Sequence, residues 1–169
     1  MSPQDFLLKA QQRWRRLPDS QLAECNDEEK ATVRALEDQA IQMEFAALTD
    51  IVLHCTNKYQ FAKTYKVLRD DLRKNISQAD GNPSAPPHVN RAVKATFEQV
   101  GEQKLSEMAG WFLVNFTDEQ DMRRLQNTPG VSRLHTAIEF YAGKEGSGCA
   151  GVVILAINGA LGLLAWVVA

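Results

Sequence analysis

Residues 26–55 read NDEEKATVRALEDQAIQMEFAALTDIVLHC. The segment opens on Asn26 with Glu29 three positions later. That spacing is a capping box, in which two side chains satisfy the backbone donors left over at a helix start. Val33, Leu36, Ala40, Met43, Ala47 and Ile51 then recur at helical spacing, and Ile41, Phe45, Leu48, Val52 and Cys55 make a second stripe. A helix that is apolar on two sides packs on two sides. The segment is therefore expected to be the centre of a helical body, with Thr56-Asn57 ending it.

Toward the N-terminus, residues 1–17 predict a short amphipathic helix. Ser2 can cap it, Pro3 suits its first position, and Phe6, Leu7, Ala10, Trp14 and Leu17 form its stripe. Pro18 stops it, and a short turn or helix follows from Asp19 to Cys25. Toward the C-terminus, Phe61, Tyr65, Leu68, Leu72 and Ile76 predict another helix. Residues 77–88, SQADGNPSAPPH, hold a glycine and three prolines and predict an extended loop. The next helix is expected from near His88 to Phe116, weakened at Gly101 and Gly110, with Gly110-Trp111 marking a close crossing. Thr117 to Gln120 is a second capping box, and its helix should end by Thr128-Pro129-Gly130. A last amphipathic stripe runs through Val131, Leu134, Ile138 and Tyr141.

No alternating strand pattern and no internal repeat is visible. The expected fold is all-α: a multi-helix bundle of about five to seven helices, followed by a single C-terminal transmembrane helix. Residues 1–143 form the helical domain, 144–148 a hinge, and 149–169 the anchor.

The anchor is read from CAGVVILAINGALGLLAWVVA, beyond the last charged side chain at Glu145. As a helix this stretch spans about 31 Å, against a hydrocarbon core of about 30 Å. Ten of its residues are Leu, Ile or Val, which favour insertion by roughly 3–6 kcal/mol. Asn158 is polar but uncharged, and Trp166 suits the far interface. A span in this position should insert after synthesis and leave the N-terminal body on the cytoplasmic side. The competing expectation is a helix buried at the centre of a soluble bundle. Gly151, Leu155, Asn158, Gly162 and Ala165 share one side of the span, a pattern suited to helix–helix packing in lipid. Cys149, at the entrance, occupies a lipidation position, although a small apolar residue there needs no such role.

Net charge is −2, without the basic excess that nucleic-acid binding demands. Three widely spaced cysteines, Cys25, Cys55 and Cys149, lack zinc-finger or disulfide-framework spacing. No hydrolase, nucleotide-binding or metalloprotease signature is present, so no enzyme activity, cofactor or metal site is expected. His54, beside Cys55 and one turn after Asp50, reads as a satisfied, partly buried histidine, because adjacent helix positions diverge. His135 and Glu139 read as a surface pair, and His88 as a solvated loop residue. Asp70-Asp71 beside Arg69 and Arg73 reads as a salt-bridged face. Arg13, Trp14, Arg15 and Arg16 are either a membrane-surface contact or a basic helix end with Trp14 in the core. The expected function is a membrane-anchored interaction module. Its partners are membrane lipid and either another protein or a second copy through the C-terminal helix. A membrane-perturbing or pore-forming effector, and an accessory subunit of a membrane complex, are the alternatives.

Overall fold

A computed structural model describes residues 1–80, 82–126 and 132–143. The elements are α1 (Pro3–Arg13), a short 3-10 turn (Asp19–Leu22), α2 (Asp27–His54), α3 (Lys58–Asp80), α4 (Pro87–Phe116), α5 (Glu119–Gln126) and α6 (Ser132–Ala142). The described residues form an all-α bundle with no strand. None of their helices is long and apolar enough to cross a membrane. The expected hinge and anchor lie outside the described residues.

Local chemistry accounts for most boundaries. The Ser2 side chain accepts from Asp5 N at 3.1 Å and starts α1. Asn26 and Glu29 exchange both bonds of the predicted capping box, each at 2.9 Å. Asn57 starts α3 by accepting from Tyr59 N and Gln60 N at 3.1 and 2.9 Å.

Three boundaries differ from expectation. Helix α1 ends at Arg13 rather than Leu17, because the next backbone groups find partners across the bundle. Arg15 N donates to the Gln103 side chain, and Gln99 and Gln103 return bonds of 2.7 and 2.9 Å to the Arg15 carbonyl. Leu17 N donates to the buried Glu37 carboxylate at 2.6 Å. The loop expected over 77–88 is shorter: α3 continues to Asp80 and α4 begins at Pro87. Ala79 is in the core, which holds the last turn of α3 down. Pro86 and Pro87 occupy the cap and first position of α4, where a missing N–H costs nothing. Helix α5 is capped by Asp118, which accepts from Asp121 N at 2.8 Å; the Thr117 hydroxyl turns back instead to the Leu113 carbonyl.

The centre of the bundle is α4, not α2. Helix α4 buries residues on several sides, from Val89 and Val93 to Met108 and Phe112, and α2 and α3 both pack along it. Helix α6 lies on α3 and α5 lies against α6. One core cluster joins Phe6, Phe61, Tyr65, Met108, Phe112 and Ile138; a second joins Leu22, Cys25, Val33, Ala79, Val89 and Phe97. Phe112 stands 5.6 Å from Phe61 and 6.1 Å from Tyr141, ring centre to ring centre, and so ties α3, α4 and α6. The close crossing expected at Gly110-Trp111 falls instead at Gly101, where an added Cβ would meet Leu72 Cγ at 2.9 Å. Gly110 has open space around it, while Trp111 packs on Phe6 at 4.8 Å. Between α2 and α4, the almost fully buried Lys104 ammonium pairs with Glu44.

Candidate functional site

Among the described residues a groove of about 1130 Å³ follows α4. Helix α4 supplies Ala95, Glu98, Glu102, Ser106 and Gly110, and α3 supplies Arg69, Leu72, Arg73 and Ile76. Leu17, from the irregular strap after α1, Gln21 of the 3-10 turn and Leu134 of α6 also line it. Along α4 the lining mixes the small Ala95, Ser106, Ala109 and Gly110 with the longer Glu98, Gln99, Glu102, Gln103 and Leu105. From Ala95 to Gly110 the helix advances about 22 Å, the length of a four-turn helical ligand.

Charge in the groove is divided. Arg69 and Arg73 come from α3, Glu98 and Glu102 from α4. Arg69 pairs with Asp70 at 3.2 Å and with Glu139. Its Nε is buried with no hydrogen-bond partner among the described residues. Arg73 is mostly exposed and stands 3.9 Å from Asp70. The salt-bridged face read from Asp70 and its arginine neighbours is thus one edge of a groove.

The predicted Arg13–Arg16 cluster is engaged within the bundle. Arg13 Nε donates to Glu107 at 2.8 Å, Arg16 pairs with Asp38, and Trp14 packs edge-on against Phe45 at 5.8 Å. His54 is exposed, not partly buried, and its Nδ1 lies 2.8 Å from Asp50 Oδ1. Burial pushes the neighbouring Cys55 thiol above its usual range, the reverse of activation as a nucleophile. Glu139 pairs with Arg69 of α3; the His135 side chain lies outside the described residues. So do Gly151, Leu155, Asn158, Gly162, Ala165 and Cys149.

His88 is not a solvated loop residue. It sits in the first turn of α4, and its Nε2 lies 2.9 Å from Glu29 Oε2. Cys25 is beside them: a sulfur, a carboxylate oxygen and an imidazole nitrogen all fall within 4.8 Å of one another. These are the described residues able to hold a metal ion. Sequence reading missed the cluster because His88 is 59 positions from Glu29. The only local signal was the i, i+4 spacing of Cys25 and Glu29. The groove was equally hidden, since it depends on how far apart α3 and the strap stand over α4.

No family model, curated protein or solved structure matches this chain.

Proposed function

We propose that the chain is a membrane-anchored, tail-anchored interaction module whose groove over α4 receives an amphipathic helix from a partner protein. The groove carries this reading. It combines the length of a four-turn helix with apolar side chains, Leu17, Leu72, Ile76, Leu105 and Leu134, between charged edges. Helix-in-groove recognition uses this combination: apolar residues at i, i+3, i+4 and i+7 fill the trough and polar flanks set orientation. The charges define the partner's chemistry. An acidic flank would meet the exposed Arg73, and a basic flank would meet Glu98 and Glu102.

The hydropathy of residues 149–169 supports the anchor; the proposal places the body on the cytoplasmic side. Gly151, Leu155, Asn158, Gly162 and Ala165 would offer a face to a second copy or to another spanning helix.

Two measurements test the two halves separately. After alkaline carbonate extraction, the full chain should remain with membranes and a 1–147 truncation should be released; release of both removes the anchor. Selection of an amphipathic-helix library on the full chain in nanodiscs should enrich peptides with one acidic flank. Ser106→Trp and Gly110→Trp, which fill the trough, should weaken those peptides by about tenfold or more, the loss of roughly 1.4 kcal/mol. Leu8→Ser, at an exposed position on α1, should leave them unchanged. Undiminished binding to both tryptophan variants removes the groove.

A further inference from the structure

We propose that Cys25, Glu29 and His88 form a binding site for a thiophilic divalent cation of the zinc class, closing the end of the bundle where α2 and α4 begin.

The donor set comes first. Thiolate, imidazole and carboxylate are the three side-chain ligands that zinc accepts, and together they leave a fourth position for water. A tetrahedral ion with bonds of about 2.0–2.3 Å holds its ligand atoms about 3.3–3.8 Å apart. The three donors here already lie within 4.8 Å of one another, so closure needs a contraction of at most about 1.5 Å at the widest pair, while His88 Nε2 and Glu29 Oε2, 2.9 Å apart, open slightly. Rotation about side-chain bonds supplies that.

Position comes second. The residues come from two separate stretches of backbone, 25–29 and the start of α4, that the fold brings together. Cys25 ends the turn after the 3-10 segment, with its N–H bonded to the Leu22 carbonyl at 3.1 Å. Glu29 is in the first turn of α2 and His88 in the first turn of α4. Cys25 is 5% exposed, and the side chains of Glu29 and His88 are 22% and 28% exposed. The site is thus sheltered yet open on one side, which suits entry of an ion and retention of one water.

Orientation comes third. Asn26 N donates to Glu29 Oε2 at 2.9 Å, fixing the carboxylate as outer-shell bonds fix metal ligands elsewhere. Charge balances as well. Cys25 and Glu29 both stand at the N-terminus of α2, and a divalent ion cancels the charges of a thiolate and a carboxylate. His88 Nε2 and Glu29 bond each other directly; on metal binding His88 takes the tautomer protonated at Nδ1, which frees Nε2, the bond is exchanged for two bonds to the metal, and the thiol proton is released to solvent.

Cobalt(II) titration of the metal-stripped full chain in detergent micelles tests the site. Cobalt reports a thiolate ligand by a charge-transfer band in the near-ultraviolet, and tetrahedral geometry by intense visible absorption. One equivalent should saturate both signals, and zinc should displace it. Cys25→Ser should abolish the charge-transfer band. His88→Gln should weaken binding about tenfold or more, a loss of roughly 1.4 kcal/mol. The double variant Cys55→Ser, Cys149→Ser should keep the full band. Zinc should raise the melting temperature of the parent chain more than that of His88→Gln, a variant on the opposite helix that decides the matter if Cys25→Ser folds poorly. Absence of the band in the parent chain overturns the site. So does its persistence in Cys25→Ser, its loss in the double variant, or unchanged affinity in His88→Gln.

Discussion

Glu37 shows how one side chain can set the course of the chain. It is 1% exposed and accepts from Leu17 N at 2.6 Å and from Arg34 Nη1 at 2.6 Å. The strap that forms one side of the groove is held to α2 by that first bond. Glu37→Ala leaves a buried N–H with no acceptor, which costs about 2–3 kcal/mol. Glu37→Gln keeps an acceptor and loses only the ion pair, so about 1 kcal/mol is expected. Urea denaturation of the two variants measures the difference. Asp118 works at the surface. Its bond from Asp121 N, reinforced by Lys58, holds the carboxyl below its ordinary value of 3.8. A folded-state pKa below the unfolded one means stability that is present above 3.8 and lost as pH falls through the lower folded value. Asparagine can still cap but carries no charge. The stability gap between the parent chain and Asp118→Asn should therefore be constant at neutral pH and close in strong acid. Melting temperatures from pH 7 to pH 2 would show this, and a gap that widens in acid would contradict it.

At the level of single helices, the two glycines of α4 separate packing from propensity. In a helix interior, alanine is favoured over glycine by about 1 kcal/mol. Gly110 meets nothing within 4 Å of an added Cβ, so Gly110→Ala should stabilise the protein by up to about 1 kcal/mol. At Gly101 the added methyl collides with the Leu72 side chain. Overpacking of that kind costs about 1–3 kcal/mol, enough to outweigh the propensity gain and leave a net loss. Thermal melts of the two variants should move in opposite directions. Both glycines look alike in sequence, and only the position of α3 tells them apart. The same limit explains the other differences. Asn26, Ser2 and the stripes of α2, α3 and α4 were legible because their partners lie within one or two turns. The end of α1 was not, because Gln103 and Glu37, which take over the backbone bonds of Arg15 and Leu17, are 88 and 20 positions away. The prolines near residue 86 signalled a break and were read too broadly, since proline opens helices as well as ending them.

For the molecule as a whole, the larger of the two core clusters converges on Phe112, which is fully buried between Phe61, Phe116 and Tyr141. Phe112→Ala should cost about 3–5 kcal/mol. The loss should appear in the protection of α3, α4 and α6 alike when amide hydrogen exchange is measured, because all three contribute to that cluster. Loss confined to α4 would mean that the helices open independently. The helical class and the order of its long segments could be read before any coordinates, since periodicity is a property of each segment alone. The centrality of α4, the groove along it, and the meeting of Cys25, Glu29 and His88 are properties of packing. No window of sequence contains them.

The buried Lys104 ammonium has a consequence for how the bundle finds its arrangement. Apolar stripes tolerate sliding, because one leucine replaces another in a neighbouring hollow. Lys104 does not: with α2 displaced by a turn, Glu44 moves about 5.4 Å away and a charge is left stranded in the interior. Such a stranded charge is penalised by about 3–5 kcal/mol. Pairing Lys104 with Glu44 therefore works like a single cut on a key, adding little to the strength of the lock while rejecting every neighbouring alignment. Replacing both with Met and Leu should preserve melting temperature and broaden the NMR spectrum, as the two helices begin to sample more than one register.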